Sequence, residues 1–295
     1  MKTTKRANVF ELVTNAICEK LEQGEIPWQR PFIKGKRPMN LITGKPYNGV
    51  NMLLCGGWSN PYFLTFNQCK QLKGSIKKGE KSTIIVFWKL YTKDKLNEET
   101  GELEEHQTYI LNYYRVFNVT QCEGIDHKRL IELQEEYKTK SNQMLNQSCI
   151  DSFEQLTAEY RNKSGLDIEI GEESGRAFYM PILDFISLPD RKEFISDEAF
   201  VSTYAHELVH STGNKSRLNR LGRENSKKGD ESYSKEELVA EIGAGFLSNM
   251  VGIDHIENAT AYCQSWLKAL KNDIKMIVYA SKDAEKAVDY ILDYK

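Results

Sequence analysis

Residues 205–213, AHELVHSTG, are the segment most informative about the structure of the second half of this chain. His206 and His210 are four residues apart, so on a helix both imidazoles leave the same face one turn apart. Two imidazoles placed in this way can bind one zinc ion at about 2.0–2.1 Å. Glu207 is displaced sideways on that helix, where its carboxylate can take a proton from a zinc-bound water. The stretch therefore predicts a zinc-dependent hydrolase site with Glu207 as the catalytic base.

The surrounding sequence distinguishes this site from a chance pair of histidines on a helix that binds no metal. A strand is predicted at 178–188 and a helix at 194–212, which is the order of elements that carries the metal in zincins. Three of the five histidines lie elsewhere in the chain, so the stretch is not part of a histidine-rich segment. Both observations favour a metal site.

A third protein ligand is expected from the next predicted helix, which contains SKEELVAEIGA at 234–244. Glu237 and Glu241 share one face of that helix, so one carboxylate can bind the metal while the other orients an imidazole. We predict Glu237 as the ligand and Glu241 as the orienting residue, and the reverse assignment stays open. Ser234 and Glu237 also fit a helix capping box, and His255 is a further candidate ligand.

The predicted elements indicate an α+β protein of two domains. Apolar periodicity and β-branched or aromatic runs predict helices at 9–21, 66–72, 194–212, 234–250 and within 259–292, and strands at 82–91, 109–119 and 178–188. The acidic segment 94–105 predicts a hairpin between the first two strands, and Pro181 predicts that the third strand lies at a sheet edge. We expect a small α+β domain with an antiparallel sheet over 1–125, a helical junction over 126–150 and the metal domain over 151–295.

Composition is that of an ordinary globular protein with an uneven distribution of charge. The 295 residues are 40% hydrophobic and 28% charged, and their net charge is −2. Residues 1–125 contain 18 Lys and Arg against 12 Asp and Glu, a balance of +6, which leaves −8 for the remainder. A basic front and an acidic back suggest two modules with different partners, and nucleic acid is one candidate for the first.

Targeting signals and disulfides are not predicted. No run of apolar residues is long enough for a membrane span, and the N-terminus lacks the apolar core of a signal peptide. The six cysteines contain no C-x-x-C pair, so we expect free and mostly buried thiols. These features predict a cytoplasmic protein.

Long collinear motifs beyond the zinc stretch resemble a known family. The front motifs are NVFELVTN (8–15), EIPWQRPF (25–32), NLITGKPYNGVN (40–51), PYFLTFNQ (61–68), KKGEKSTIIVFWK (77–89) and YYRVFNV (113–119). The back motifs are FYMPILDFISLP (178–189), AHELVHSTG (205–213), KSRLNR (215–220) and EELVAEIGAGFL (236–247). Together they resemble plasmid-encoded antirestriction proteins of the ArdC type, whose N-terminal part also recurs in conjugative primases. The resemblance implies a domain that binds single-stranded DNA over 1–125 and a zincin-like metallopeptidase domain over 151–295.

Binding of single-stranded DNA requires aromatic rings for base stacking and cations for phosphates. Candidate stacking residues are Trp28, Phe32, Tyr47 and Trp88, and candidate phosphate contacts are Arg30, Lys45, Lys77, Lys78, Lys81 and Arg115. For Phe87 and Tyr113, packing in the core is the favoured interpretation.

Two functions from different classes follow. In the first, the front domain holds single-stranded DNA of a mobile element while a zinc or manganese site cleaves a protein bound nearby, such as a component of the restriction system. In the second, the chain protects DNA by coating it, and the metal domain is structural or binds a partner.

Overall fold

The fold is described from a computed structural model, which covers residues 8–30, 36–96, 103–143, 148–171, 175–221, 231–253 and 260–293. Its helices are α1 (Val9–Glu22), α2 (Val50–Cys55), α3 (Phe66–Gln71), α4 (Lys128–Gln143), α5 (Cys149–Lys163), α6 (Asp197–Thr212), α7 (Glu231–Met250), α8 (Thr260–Asn272) and α9 (Met276–Leu292). Its strands are β1 (Met39–Asn40), β2 (Tyr62–Leu64), β3 (Ser75–Ile76), β4 (Thr83–Leu96), β5 (Leu103–Asn118), β6 (Cys122–Glu123), β7 (Asp167–Ile170), β8 (Phe178–Met180) and β9 (Phe185–Leu188). Helices and strands occur in both halves, and the predicted α+β class is confirmed. Within these residues no helix is long and apolar enough to cross a bilayer.

The front half is organised around the hairpin of β4 and β5. Their antiparallel register runs from Thr83 opposite Val116 to Leu96 opposite Leu103. The predicted hairpin is therefore confirmed, and its tip at 97–102 lies outside the described residues. β5 also pairs with β2, and β2 pairs in parallel with β1, which gives the sheet order β1-β2-β5-β4. A short pair of β3 and β6 lies beside this sheet.

The back half carries a second sheet in the order β7-β9-β8. The prediction of one edge strand over 178–188 is wrong, because the chain reverses after Met180 and returns as the central strand β9. Asp184 adopts the positive φ of 51° in this turn, and its carboxylate stabilises it by accepting hydrogen bonds from the buried guanidinium of Arg217 at 2.6 and 2.7 Å. The ion pair fastens the hairpin to the segment that follows α6.

One hydrophobic core joins the two halves of the chain. Its buried side chains come from α1 and α2 in the front half as well as from α5, α6, α7 and α9 in the back half. Arg37 also donates hydrogen bonds to Glu285 and Asp289 on α9 at 3.2 and 2.9 Å. The domain boundaries at 125 and 150 stay a prediction, since this core draws on both sides of them.

The cysteines belong to the packing of the protein and form no cross-links. All six are free thiols, as expected, and five of them are buried.

Two glycines allow other elements to approach α7 closely. A Cβ at Gly243 would lie 2.8 Å from a methyl carbon of Val209 on α6, and a Cβ at Gly245 would lie 2.1 Å from the carbonyl oxygen of Trp28. The absence of a side chain at these positions therefore brings α6 and the Trp28 segment against α7.

Gly245→Ala is expected to destabilise the protein by about 1–3 kcal/mol, because the new methyl group collides with backbone and the segment must shift. Helix propensity alone predicts that the substitution increases the free energy of unfolding, since alanine is more favourable than glycine in a helix interior by about 1 kcal/mol. Urea unfolding of the full chain measures the change. Gly243→Ala is the comparison: its new methyl group meets the Val209 side chain and not backbone, so adding Val209→Ala to it should recover part of the lost stability. A Gly245→Ala variant as stable as the wild type would contradict the close approach.

Candidate metal centre

The helix α6 brings His206 and His210 together. Ser196 caps its start by accepting a hydrogen bond from the amide of Ala199 at 3.2 Å. One face of α6 carries buried apolar side chains that fix its orientation against the core. The two imidazoles then project one turn apart, with their Nε2 atoms 3.0 Å from each other.

Glu237 on α7 completes a cluster of three possible ligands. Its carboxylate oxygens lie 3.5 Å from Nε2 of His206 and 3.6 Å from Nε2 of His210. Two atoms that bind a tetrahedral zinc at about 2.05 Å lie about 3.3 Å apart. The observed separations of 3.0, 3.5 and 3.6 Å lie on both sides of this value, so the three side chains fit a single divalent ion.

Burial and charge within the cluster shift the pKa of its titratable groups. Burial raises the pKa of the Glu207 carboxyl above its ordinary value, and the nearby histidines offset this only in part. For His206, burial lowers the pKa, but the carboxylates of Glu237, Glu241 and Glu207 outweigh it, so the net pKa is raised. Glu207 thus lies in a buried position, 7% exposed, where it can hold a proton at a higher pH than a solvated carboxylate can.

Glu236 is a residue of the site to which the sequence analysis assigned no role. Its carboxylate lies 3.4 Å from Nδ1 of His210 and accepts hydrogen bonds from Arg220 at 2.9 and 3.1 Å. Arg220 in turn donates to Thr212 Oγ1 at 2.9 Å. This chain of contacts holds the His210 ring from the side opposite the cluster. In the sequence, the adjacent glutamates Glu236 and Glu237 and the arginines of KSRLNR are the pattern that could have indicated this contact.

Glu241, the predicted orienting residue, lies one turn further along α7 and lines a pocket of about 310 Å³ beside His206. Its carboxylate forms no ion pair within 4.0 Å with either histidine among the described residues, although its charge contributes to the raised pKa of His206. The other lining residues include Trp28, Ser248, Ile253 and Tyr262.

Two predicted stacking residues are buried, which corrects the expectation that their rings face solvent. Trp28 is 1% exposed, because its ring packs edge-on against Trp266 and its Nε1 donates to the Tyr262 hydroxyl at 3.4 Å. Tyr47 is 7% exposed and packs against Phe63, because its ring belongs to a small core cluster that also contains Cys55, Ile85 and Val116. Phe32 lies outside the described residues.

The predicted phosphate contacts are exposed and occupy different parts of the front half. They are Arg30 after the Trp28 turn, Lys45 in the loop after β1, Lys77, Lys78 and Lys81 between β3 and β4, and Arg115 on β5. Lys77 donates to the Thr120 carbonyl at 2.8 Å, and Arg115 donates to Ser82 at 3.2 Å.

The hairpin of β4 and β5 exposes an unusual number of aromatic rings. Trp88 is 41% exposed, as its predicted role requires. Phe87 and Tyr113 are 41% and 39% exposed, so their expected burial in the core is wrong. The two rings lie on opposite faces of the hairpin: Phe87 contacts Tyr114 on one face, and Tyr113 lines an open groove on the other. A groove of about 750 Å³ runs between this hairpin, α1 and α9, with Phe10, Trp88, Tyr109, Tyr113, Lys275 and Tyr279 among its lining.

Comparisons with known proteins match both halves in order. A model for the N-terminal domain of the anti-restriction factor ArdC matches residues 7–117, and a model for zincin-like metallopeptidases matches residues 155–283. Two DNA primases TraC of Escherichia coli are each 34% identical over 97% of this chain. The chain spans 27% and 20% of the length of these primases.

Solved structures extend the match to the whole chain. The metal-free crystal structure of antirestriction protein ArdC from plasmid R388 is 31% identical, with a TM-score of 0.72 and 98% of both chains covered. Its Mn(II)-bound structure gives 29% identity, a TM-score of 0.68 and the same coverage. The resemblance found in the sequence is confirmed. Identity of 31% over almost the full length of both chains shows that this protein belongs to the family of ArdC antirestriction proteins.

Proposed function

We propose that this antirestriction protein binds single-stranded DNA and carries a divalent-metal-dependent peptidase site, with zinc as the metal. The observation that carries the peptidase half is the cluster of His206, His210 and Glu237, whose ligand atoms all lie within 4.8 Å of one another. Zinc is favoured by two imidazoles and one carboxylate. Manganese is the alternative, and an ArdC structure from plasmid R388 contains Mn(II).

Each residue of the site has a separate proposed role in peptide hydrolysis. His206, His210 and Glu237 would hold the ion, which when bound would polarise the scissile carbonyl and lower the pKa of a water molecule. Glu207 is the proton carrier: burial raises the pKa of its carboxyl, which favours its accepting a proton and passing it to the leaving amine. Arg220 and Glu236 keep the His210 ring in one orientation.

Glu207→Gln is expected to lower peptide cleavage by about 10²–10⁴-fold, because the amide cannot carry the proton. Zinc-loaded full-length protein is incubated with a mixed peptide library, with and without single-stranded DNA, and the products are identified by mass spectrometry. Glu132→Gln, an exposed carboxylate on α4, is the matched control and should cleave as the wild type does. Cleavage undiminished in Glu207→Gln would rule out this assignment.

Glu236→Gln is expected to weaken zinc binding by about 10–100-fold, because His210 and Arg220 lose a charged partner. Competition with a chromogenic chelator measures the affinity, again beside Glu132→Gln. Affinity equal to that of the wild type would show that the Arg220–Glu236 contact does not support the ligand.

Single-stranded DNA is proposed to lie in the groove beside the β4–β5 hairpin. Tyr109, Tyr113 and Arg115 alternate along β5 and so share one face, and Trp88 faces the same side from β4. Tyr279 lies stacked on Trp88 at 6.5 Å. Lys275 adds a cation over the ring of Phe10, at 5.7 Å. Exposed rings beside cations suit bases and phosphates, and this favours nucleic acid over a protein partner.

Trp88→Ala and Tyr109→Ala are each expected to weaken binding of oligothymidylate about tenfold, since a stacked base contributes about 1–3 kcal/mol. Fluorescence anisotropy at two salt concentrations measures affinity and its salt dependence. Phe66→Ala is the matched control, because Phe66 is 48% exposed on α3, away from the groove. Equal affinities for all four proteins would place the DNA elsewhere.

The second candidate function is protection of DNA by coating alone. It is favoured by the fact that the aromatic groove contains none of the metal-cluster residues. A transformation assay separates the two: Glu207→Gln would still protect DNA if coating suffices and would fail to protect if cleavage is required.

A further inference from the structure

The pocket beside His206 has the composition of a site for a long cationic side chain. Its walls are apolar where Trp28, Ile253 and Tyr262 contribute, and it contains a single carboxylate, that of Glu241, among its described lining residues. Those residues include no lysine or arginine. Glu241 forms no ion pair with a cation elsewhere in the part of the chain that the structure describes. Gln29, Ser202 and Thr203 also line the pocket, and the Tyr262 hydroxyl is hydrogen-bonded to Glu241. A carboxylate beside apolar rings in such a pocket favours a group that has both a hydrocarbon stem and a positive charge.

Ser248 supplies a second and independent indication that a ligand enters this pocket. It lines the pocket, is only 3% exposed, and its hydroxyl has no hydrogen-bond partner among the described residues. Buried hydroxyl groups are nearly always paired, and one that is not paired needs a partner from outside. Ser248 Oγ itself is covered, so a guanidinium or ammonium group that binds Glu241 would donate to it after a small shift of the pocket wall.

The position of the pocket connects it to the metal cluster. Glu241 follows Glu237 by four residues, a rise of about 6 Å along α7, so the pocket begins where the cluster ends. His206 lines the pocket and belongs to the cluster. A peptide bond held at the cluster would thus direct one neighbouring side chain into the pocket.

One wall of the pocket comes from the front half of the chain. The Trp28 carbonyl oxygen lies against Gly245, and the Trp28 ring is held by Tyr262 and Trp266. The pocket therefore forms only when both halves of the chain are folded and packed together.

We infer that this pocket binds the side chain of a lysine or arginine adjacent to the bond that the site cleaves, with Glu241 as the residue that recognises the charge. The inference rests on the proposed peptidase function. It assigns a substrate class to that site: proteins cleaved next to a basic residue. Glu241 acts here as a specificity residue and not as the orienting partner of an imidazole, in line with the absence of an ion pair between Glu241 and either histidine among the described residues.

Digestion of a peptide library by the zinc-loaded full chain tests the inference. We expect cleavage to concentrate at bonds next to lysine or arginine. Two peptides that differ only by arginine or norleucine at that position are then compared in wild-type protein and in Glu241→Gln. The ratio of kcat/KM for the arginine peptide over the norleucine peptide should fall on the order of 10- to 100-fold in the variant. Zinc content is measured in both proteins.

Two results would overturn the inference. One is a library profile without preference for basic residues. The other is a Glu241→Gln variant that loses zinc and slows on both peptides equally, which would make Glu241 an orienting residue of the cluster.

Failure of the peptidase function itself is distinguished by a binding measurement. Fluorescein-labelled alanine peptides with a central arginine or norleucine are titrated into zinc-loaded Glu207→Gln and into Glu207→Gln with Glu241→Gln. If Glu207→Gln binds the arginine peptide more tightly than the norleucine peptide, and the double variant does not, the pocket recognises a basic side chain even if the protein has no peptidase activity. Equal binding of the two peptides to Glu207→Gln would overturn it.

Discussion

The close approach of α6 and α7 is the constraint on which the metal cluster depends. Gly243 leaves room for Val209, so the two helices pack near enough for Glu237 to reach both imidazoles. A wider spacing would leave two histidines without their third ligand. The sheet of β7, β9 and β8 supports α6 from another side, and the Asp184–Arg217 ion pair fixes the turn of that sheet to the end of the helix.

The same helix α7 connects the cluster to the front half of the chain. Gly245 accepts the backbone of Trp28, whose ring is part of the shared core and of the pocket beside His206. The aromatic groove proposed for DNA also draws on both halves, since Phe10 lies on α1 and Tyr279 on α9. The protein therefore joins its two proposed activities through packing, and not through a flexible linker between independent units.

The sequence predicts correctly those features that depend on residues close to one another within a single helix. Residue spacing within one helix sufficed to predict α1, α6 and α7 and to single out His206, His210 and Glu237, which the fold does bring together. The sequence does not predict side-chain orientations that depend on how separate elements pack against one another. Pro27 and Pro46 predict turns for Trp28 and Tyr47, but the elements packed around them, helices for Trp28 and the sheet for Tyr47, determine that the rings point inward. The choice between Glu236 and Glu241 as partner of an imidazole depends on the rotation of α7 against α6, which no single-helix pattern contains.

We propose that α6 and α7 hold one divalent ion between His206, His210 and Glu237. Anomalous diffraction from crystals of the full chain, recorded on both sides of the zinc absorption edge, tests this proposal. We expect a single strong anomalous peak within about 2.0–2.2 Å of both His Nε2 atoms and of a Glu237 oxygen. An anomalous peak located elsewhere, or no peak at these side chains after zinc is supplied in excess, would contradict the proposed metal site.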